Sequence, residues 1–100
     1  MLVSVVIGLL NEEKFLPRLI EDFKNQTYDH SKIELIFIDG MSKDKSWKIL
    51  EDFKDSNHDF YDVVLLKNPK VILSAGMNVG IKAARGECIL KVDCHSHITE

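Results

Sequence analysis

One hundred residues, 45% of them apolar and 29% charged, with 5 glycines and 2 prolines, describe one small domain, or part of a larger one, of globular composition. A formal charge of −3 with no basic cluster argues against a nucleic-acid-binding face, and no apolar run approaches the roughly 20 residues that span a bilayer. Cys88 and Cys94 form no C-x-x-C pair; on one extended strand they would lie far beyond disulfide reach, and reduced thiols fit a cytosolic chain.

The first apolar run, Val3–Leu9, has no basic segment before it and empties into Asn11-Glu12-Glu13, as a buried strand does and a signal peptide does not. Glu13–Gln26 follows with Phe15, Leu16, Leu19, Ile20 and Phe23 at helical spacing, Asn11 as N-cap, and Pro17 early enough to be tolerated. Ile33–Asp39 reads as the second strand. Asp44–Asn57 is a second helix with Trp47, Ile49, Leu50 and Phe53 behind a Ser42 or Asp44 cap. Asp62–Leu66 is the third strand, Ser74–Arg85 the third helix with Gly86 as its C′ glycine, and Glu87–Val92 the fourth strand.

These strand runs are near-continuously apolar, the mark of a sheet covered on both faces. The βαβ series predicts an α/β, doubly wound, mostly parallel, Rossmann-like sheet of about four strands and three helices, joined by right-handed crossovers. There is no internal repeat, low-complexity tract or linker, so residues 1–100 read as one unit. Trp47 and the phenylalanines are assigned to the core, Lys43, Lys45 and Lys48 to a solvated face, and His30 and His58 to the surface.

In such sheets ligands bind beyond the carboxyl ends of the strands. The residues there are Asn11-Glu12, Asp39-Gly40, Asn68-Pro69 and Asp93-Cys94-His95. Acids at several ends of one sheet suit a ligand with hydroxyls or amide edges, or a cation. With no G-x-G-x-x-G and no G-x-x-x-x-G-K-[ST], dinucleotide and P-loop readings are weak. In "CILKVDCHSH" the side chains of Asp93, His95 and His97 alternate along an extended chain and share one face. A carboxylate and an imidazole converging there suit a divalent metal; an ordinary polar strand end is the other reading.

Three stretches, "SVVIGLLNEEKFLPRLIEDFKNQTY", "ELIFIDGMSKDKSWKILEDF" and "SAGMNVGIKAARGECILKVDCHSH", in order and at the family's spacing, resemble the opening of a family-2 glycosyltransferase with the GT-A fold. The Asp-Gly-Met-Ser turn and an Asp-x-His in place of Asp-x-Asp resemble the succinoglycan-biosynthesis type of bacterial polysaccharide enzymes. The resemblance implies that Asn11 and Glu12 line the nucleotide pocket and that Asp39 contacts the nucleobase, with Gly40 standing where the family has a second acid. It places Asn78 and Gly80 at the family's Asn-x-Gly, with Gly76 on the same helical face as Gly80. Asp93 and His95 stand at the metal and diphosphate site. Imidazole in the ligand set favours manganese over magnesium.

The implied activity is inverting transfer of a sugar from a nucleoside diphosphate donor, uridine-linked before guanosine-linked, to a glycan or lipid-linked acceptor at the cytoplasmic face of a membrane. The base that deprotonates the acceptor comes, in this family, from a carboxylate well downstream of Asp-x-Asp. The chain is therefore expected to be the donor-binding half of a truncated or longer enzyme, inactive alone, and prone to self-association through an exposed sheet edge.

Bland readings stand beside these. Asp39 also fits as the cap of the turn "DGMSKD", Glu12 as a first-turn helix acid, and His97 as a solvated histidine. Two other classes use the same fold. A receiver-like phosphoacceptor module would need an Asp after the third strand, where Leu66-Lys67-Asn68-Pro69 stands instead. A non-catalytic α/β interaction domain would use the sheet edge and bind no nucleotide.

Overall fold

A computed structural model of the chain describes residues 1–57, 59–67 and 81–93, the last without its side chain. Four strands, β1 (Val3–Leu9), β2 (Ile33–Asp39), β3 (Asp62–Lys67) and β4 (Cys88–Asp93), form one sheet in the order β3-β2-β1-β4. Every pairing is parallel, with Val3 opposite both Ile33 and Cys88. The sheet is therefore α/β and doubly wound, as the apolar runs predicted. β1 and β2 have the predicted bounds, β3 runs one residue further, and β4, expected over Glu87–Val92, starts and ends one residue later.

Parallel register aligns the strand ends. Leu9 lies opposite Asp39, Asp39 opposite Lys67, and Gly8 opposite Asp93. The chain steps outward from β1 to β3 and then returns to the far side of β1. The topological switch point, where open sheets of this kind hold ligands, thus falls between β1 and β4.

One sheet face packs against α1 (Leu16–Lys24) and α2 (Ser46–Asp55). Val5, Ile7 and Leu9 of β1 and Leu35 and Phe37 of β2 meet Leu16, Leu19 and Phe23 of α1 and Leu50 and Phe53 of α2 there. Phe37 sits edge-on to both Phe23 and Phe53. The opposite face buries Val6, Ile36 and Ile38 with Val64, Leu66 and Ala84 around them. Each large apolar side chain fully buried contributes about 1.5–3 kcal/mol, and among the described residues most of these lie on the face that packs against α1 and α2.

Local punctuation departs from the expected pattern. α1 starts at Leu16, capped by Phe15 with no side-chain hydrogen bond, and Asn11 is not its cap. Residues 12–15 make a separate turn, in which the Glu12 carbonyl accepts from the N–H groups of Phe15 and Leu16. Glu12 therefore lies outside the helix's first turn, which holds no acid. Lys45 is the boundary residue of α2, and Asp44 Oδ1 accepts from the Ser46 N–H at 2.9 Å. Neither Ser42 nor Asp44 is therefore the N-cap: that position is Lys45, which makes no side-chain cap bond, and Asp44 reaches the first helical N–H from one residue further back.

Of the third helix, residues 81–83 are described; the remainder of Ser74–Arg85 lies outside the described residues. No described glycine has positive φ, so Gly86 is not a left-handed C′ residue. It lies against β1, where an added Cβ would stand 2.6 Å from Ser4 N and Oγ and 2.8 Å from the Leu2 carbonyl.

One core assignment and one surface assignment also change. Phe15, stranded ahead of α1, is 48% exposed. His30 is half-buried: its ring stacks on Phe60 with centroids 4.6 Å apart, and Nε2 lies 3.1 Å from the Gln26 carbonyl. Trp47 is half-buried against the core, with Lys67 Nζ 4.4 Å above its ring. Lys43, Lys45 and Lys48 are exposed, and Lys48 pairs with Asp52 one turn on. His58 and Cys94 lie outside the described residues, and Cys88 is a free, half-buried thiol. Among the described residues, no helix is long and apolar enough to cross a membrane.

Candidate functional site

The carboxyl ends of β1 and β2 are joined first by backbone, the Gly40 N–H donating to the Leu9 carbonyl at 2.8 Å. The two chains then turn sharply, Asn11 with φ 52° and Met41 with φ 70°. Asparagine tolerates the left-handed region better than most side chains, which suits it to this position.

Beyond these turns the loops are stitched together by side chains. The Asn11 N–H donates to Ser42 Oγ at 2.8 Å, the Glu12 N–H to Ser46 Oγ at 2.9 Å and the Glu13 N–H to Asp44 Oδ2 at 3.2 Å. One bond runs the other way, the Lys43 N–H donating to Asn11 Oδ1 at 2.7 Å. Three consecutive amides after β1 thus meet three acceptors spaced two apart after β2. Ser46 is fully buried, so its bond to Glu12 is shielded from competing water.

Asp39 is the floor of this arrangement, 1% exposed. Its Oδ1 accepts from both the backbone N–H and the hydroxyl of Ser42, at 3.1 and 2.5 Å, and Oδ2 takes a longer 3.3 Å share of the same N–H. The turn-capping reading of Asp39 is thereby present in the structure. A carboxylate offers about four lone-pair sites, so among the described residues acceptor capacity remains on Oδ2.

For Asp44, partial burial pushes the carboxyl up. The Ser46 side chain and the N–H groups of Ser46, Glu13 and Asp44 itself outweigh that, and its pKa falls below the usual carboxylate value.

At the end of β4, the backbone of Asp93 pairs beside Gly8, one residue before the end of β1. The fold therefore brings Asp93 to the switch point that Asn11 and Glu12 leave. Asn78, Gly76 and Gly80, Asn68-Pro69, and Cys94, His95 and His97 lie outside the described residues, so the predicted Asp93–His95 pairing does too. Among the described residues no group of three or more His, Cys, Asp or Glu side chains converges as a metal site.

Sequence reasoning missed a polar cluster at the other end of the sheet. Glu34, inside the second apolar run, is fully buried and accepts from Ser4 Oγ at 2.9 Å, the Arg85 N–H at 2.9 Å and Arg85 Nε at 2.7 Å. Arg85 Nη2 reaches Glu34 and Asp62, 2.6 Å from each. Ser4 Oγ accepts in turn from the Gly86 N–H. An acid in an otherwise apolar strand signals a buried partner, but nothing in the sequence points to Arg85. The cluster lies at the amino ends of the strands and holds the fold together, away from the candidate site. Ser42 and Ser46 were likewise unmarked as links between the loops.

Comparison with known proteins places these strand ends in context. The family model described as Glycosyl transferase family 2 matches residues 4–100. The chain is 28% identical over 95 residues to a dolichyl N-acetyl-alpha-D-glucosaminyl phosphate 3-beta-D-2,3-diacetamido-2,3-dideoxy-beta-D-glucuronosyltransferase of Methanococcus voltae, covering 95% of this chain and 29% of that protein. It is 35% identical over 91 residues to the putative glycosyltransferase EpsH of Bacillus subtilis, covering 91% and 25%.

Among solved structures, residues 1–349 of Staphylococcus aureus TarS superpose with a TM-score of 0.83 at 25% identity, over 99% of this chain and 29% of that one. The mannosyltransferase PcManGT of Pyrobaculum calidifontis superposes at 0.88 with 18% identity, over 98% and 28%, which is likeness of fold alone. The chain spans less than a third of the length of these proteins. With the family pattern running from Ser4 to Glu100 through the strand ends that carry Asn11, Asp39 and Asp93, the chain belongs to glycosyltransferase family 2 and has the fold of the N-terminal part of its GT-A domain.

Proposed function

We propose that this chain is the nucleotide-sugar-binding portion of an inverting, metal-dependent glycosyltransferase. The donor is a uridine diphosphate sugar, and the acceptor a glycan or lipid-linked oligosaccharide at the cytoplasmic face of a membrane. The observation that carries the reading is the alignment of Leu9, Asp39, Lys67 and Asp93 at one end of a parallel sheet, with the switch point beside Asp93. Relatives of this fold support a nucleotide donor: S. aureus TarS 1–349 has been solved in complex with UDP and with UDP-GlcNAc, and PcManGT with GDP-Man and Mn2+.

In this reading Asp39 accepts from the uracil N3–H and rejects bases that present only an acceptor there. Glu12 and Asn78 shape the pocket. Asn11 does so through the loop, because its amide oxygen is committed to the Lys43 N–H. Asp93 and His95 hold a divalent cation, manganese before magnesium, and a carboxylate with an imidazole fits that ion. When bound, the cation neutralises charge developing on the diphosphate leaving group. Acceptor deprotonation belongs to a carboxylate outside this chain, so the chain alone transfers no sugar.

The test is calorimetric titration of uridine diphosphate into this chain and into the complete gene product, with manganese, with chelator, and with His95→Ala. Manganese-dependent binding that the substitution abolishes is expected. Binding unchanged by chelator would remove the metal. No nucleotide binding by either protein would remove the donor reading and favour an interaction domain.

A further inference from the structure

We infer that Ser42 is a positioning residue for base recognition, one that sets which oxygen of Asp39 faces the nucleotide; the inference rests on the donor-binding reading above. The hydroxyl of Ser42 has a single proton and gives it to Asp39 Oδ1, while its oxygen accepts from the Asn11 N–H. The Ser42 backbone N–H adds a second donor to Oδ1. Among the described residues, Oδ2 takes only the longer share of that N–H.

Two consequences follow from the chemistry. First, the carboxylate cannot rotate without breaking the bond to a serine that is itself held by the neighbouring loop. Second, Asp39 is 1% exposed, so a nucleobase N–H that reaches Oδ2 would meet little competition from bulk water. Uracil N3 carries a proton and cytosine N3 does not. A fixed Oδ2 therefore rewards uridine and penalises cytidine through a buried, unmatched pair of acceptors. A carboxylate free to turn away discriminates less.

The experiment compares the unsubstituted chain with Ser42→Ala and Ser42→Thr by two readouts. Amide hydrogen exchange at Asn11 reports the link between loops, with the Val6 and Ile36 amides as a check that the sheet is intact. The ratio of UDP to CDP affinity reports the orientation of Asp39. Ser42→Ala is expected to speed exchange at Asn11, leave Val6 and Ile36 protected, and reduce the UDP preference about tenfold, the equivalent of one hydrogen bond. Ser42→Thr, which keeps the hydroxyl, is expected to restore both.

Unchanged exchange at Asn11, or equal loss of UDP and CDP affinity, would overturn the inference while leaving the donor reading standing. Failure of both the unsubstituted chain and the complete gene product to bind either nucleotide would overturn both. Should Ser42→Ala not fold, Ser42→Cys, a much weaker donor, makes the same comparison with the same outcomes.

Discussion

Gly86 shows how one residue can be required for space when its type suggests backbone conformation. Its N–H donates to Ser4 Oγ at 2.8 Å, and Ser4 passes its own proton to buried Glu34. A methyl group there would sit 2.6 Å from Ser4 N, and the backbone of β1 cannot retreat without disturbing its pairing on both sides. Gly86→Ala is expected to cost about 1–3 kcal/mol, the usual range for overpacking a tight site, read as a lower urea midpoint at unchanged slope. Arg85 beside it is held in its charged form by the Glu34 carboxylate first and by Asp62 second. The guanidinium is half exposed, so the value of the pair lies in keeping Glu34 satisfied inside the sheet.

At the scale of elements, the strands were legible and the helix starts were not. A parallel strand buried on both faces must be apolar throughout, so β1 and β2 showed their bounds directly. Helix starts depend on where capping side chains go, and here the tertiary structure recruits them. Asn11 faces Lys43, Ser42 faces Asn11, and Asp44 divides its oxygens between Ser46 and Glu13.

Asp44 gives this a pH signature. Its folded pKa lies below the ordinary 3.8, so its stabilising contribution is complete above that value and is lost as the pH falls through the folded pKa. Wild type should exceed Asp44→Asn in stability near neutral pH, and the gap should close in acid below that value. Urea midpoints across a pH series check the sign; a gap that widens in acid would be the contrary result.

For the whole molecule, the consequence lies at the edge of the sheet. β4 pairs with β1 on one side, and among the described residues no strand pairs on the other. Ile89 and Leu90 are 40% and 49% exposed, and a groove of about 290 Å³ lined by Val3, Val5, Phe23, Tyr28, Leu90 and Val92 runs beside them. An open edge flanked by apolar surface favours pairing with a second chain. The chain is expected to associate with itself as concentration rises, and Leu90→Lys to weaken that association. Light scattering showing a clean monomer for the unsubstituted chain at high concentration would remove the expectation.

The residue pattern alone determined the fold class, the strand positions and which loops gather at the carboxyl end of the sheet. Each of these follows from apolar periodicity and from the parallel connections it imposes. The tertiary structure alone decided how the polar residues are used. Hydrogen-bond partners such as Ser42 with Asn11, or Glu34 with Arg85, sit 31 and 51 residues apart, and short polar side chains carry no periodic signal of where they will meet. For Glu34, burial then makes the meeting binding, because a polar group taken from water must find its partner within the fold.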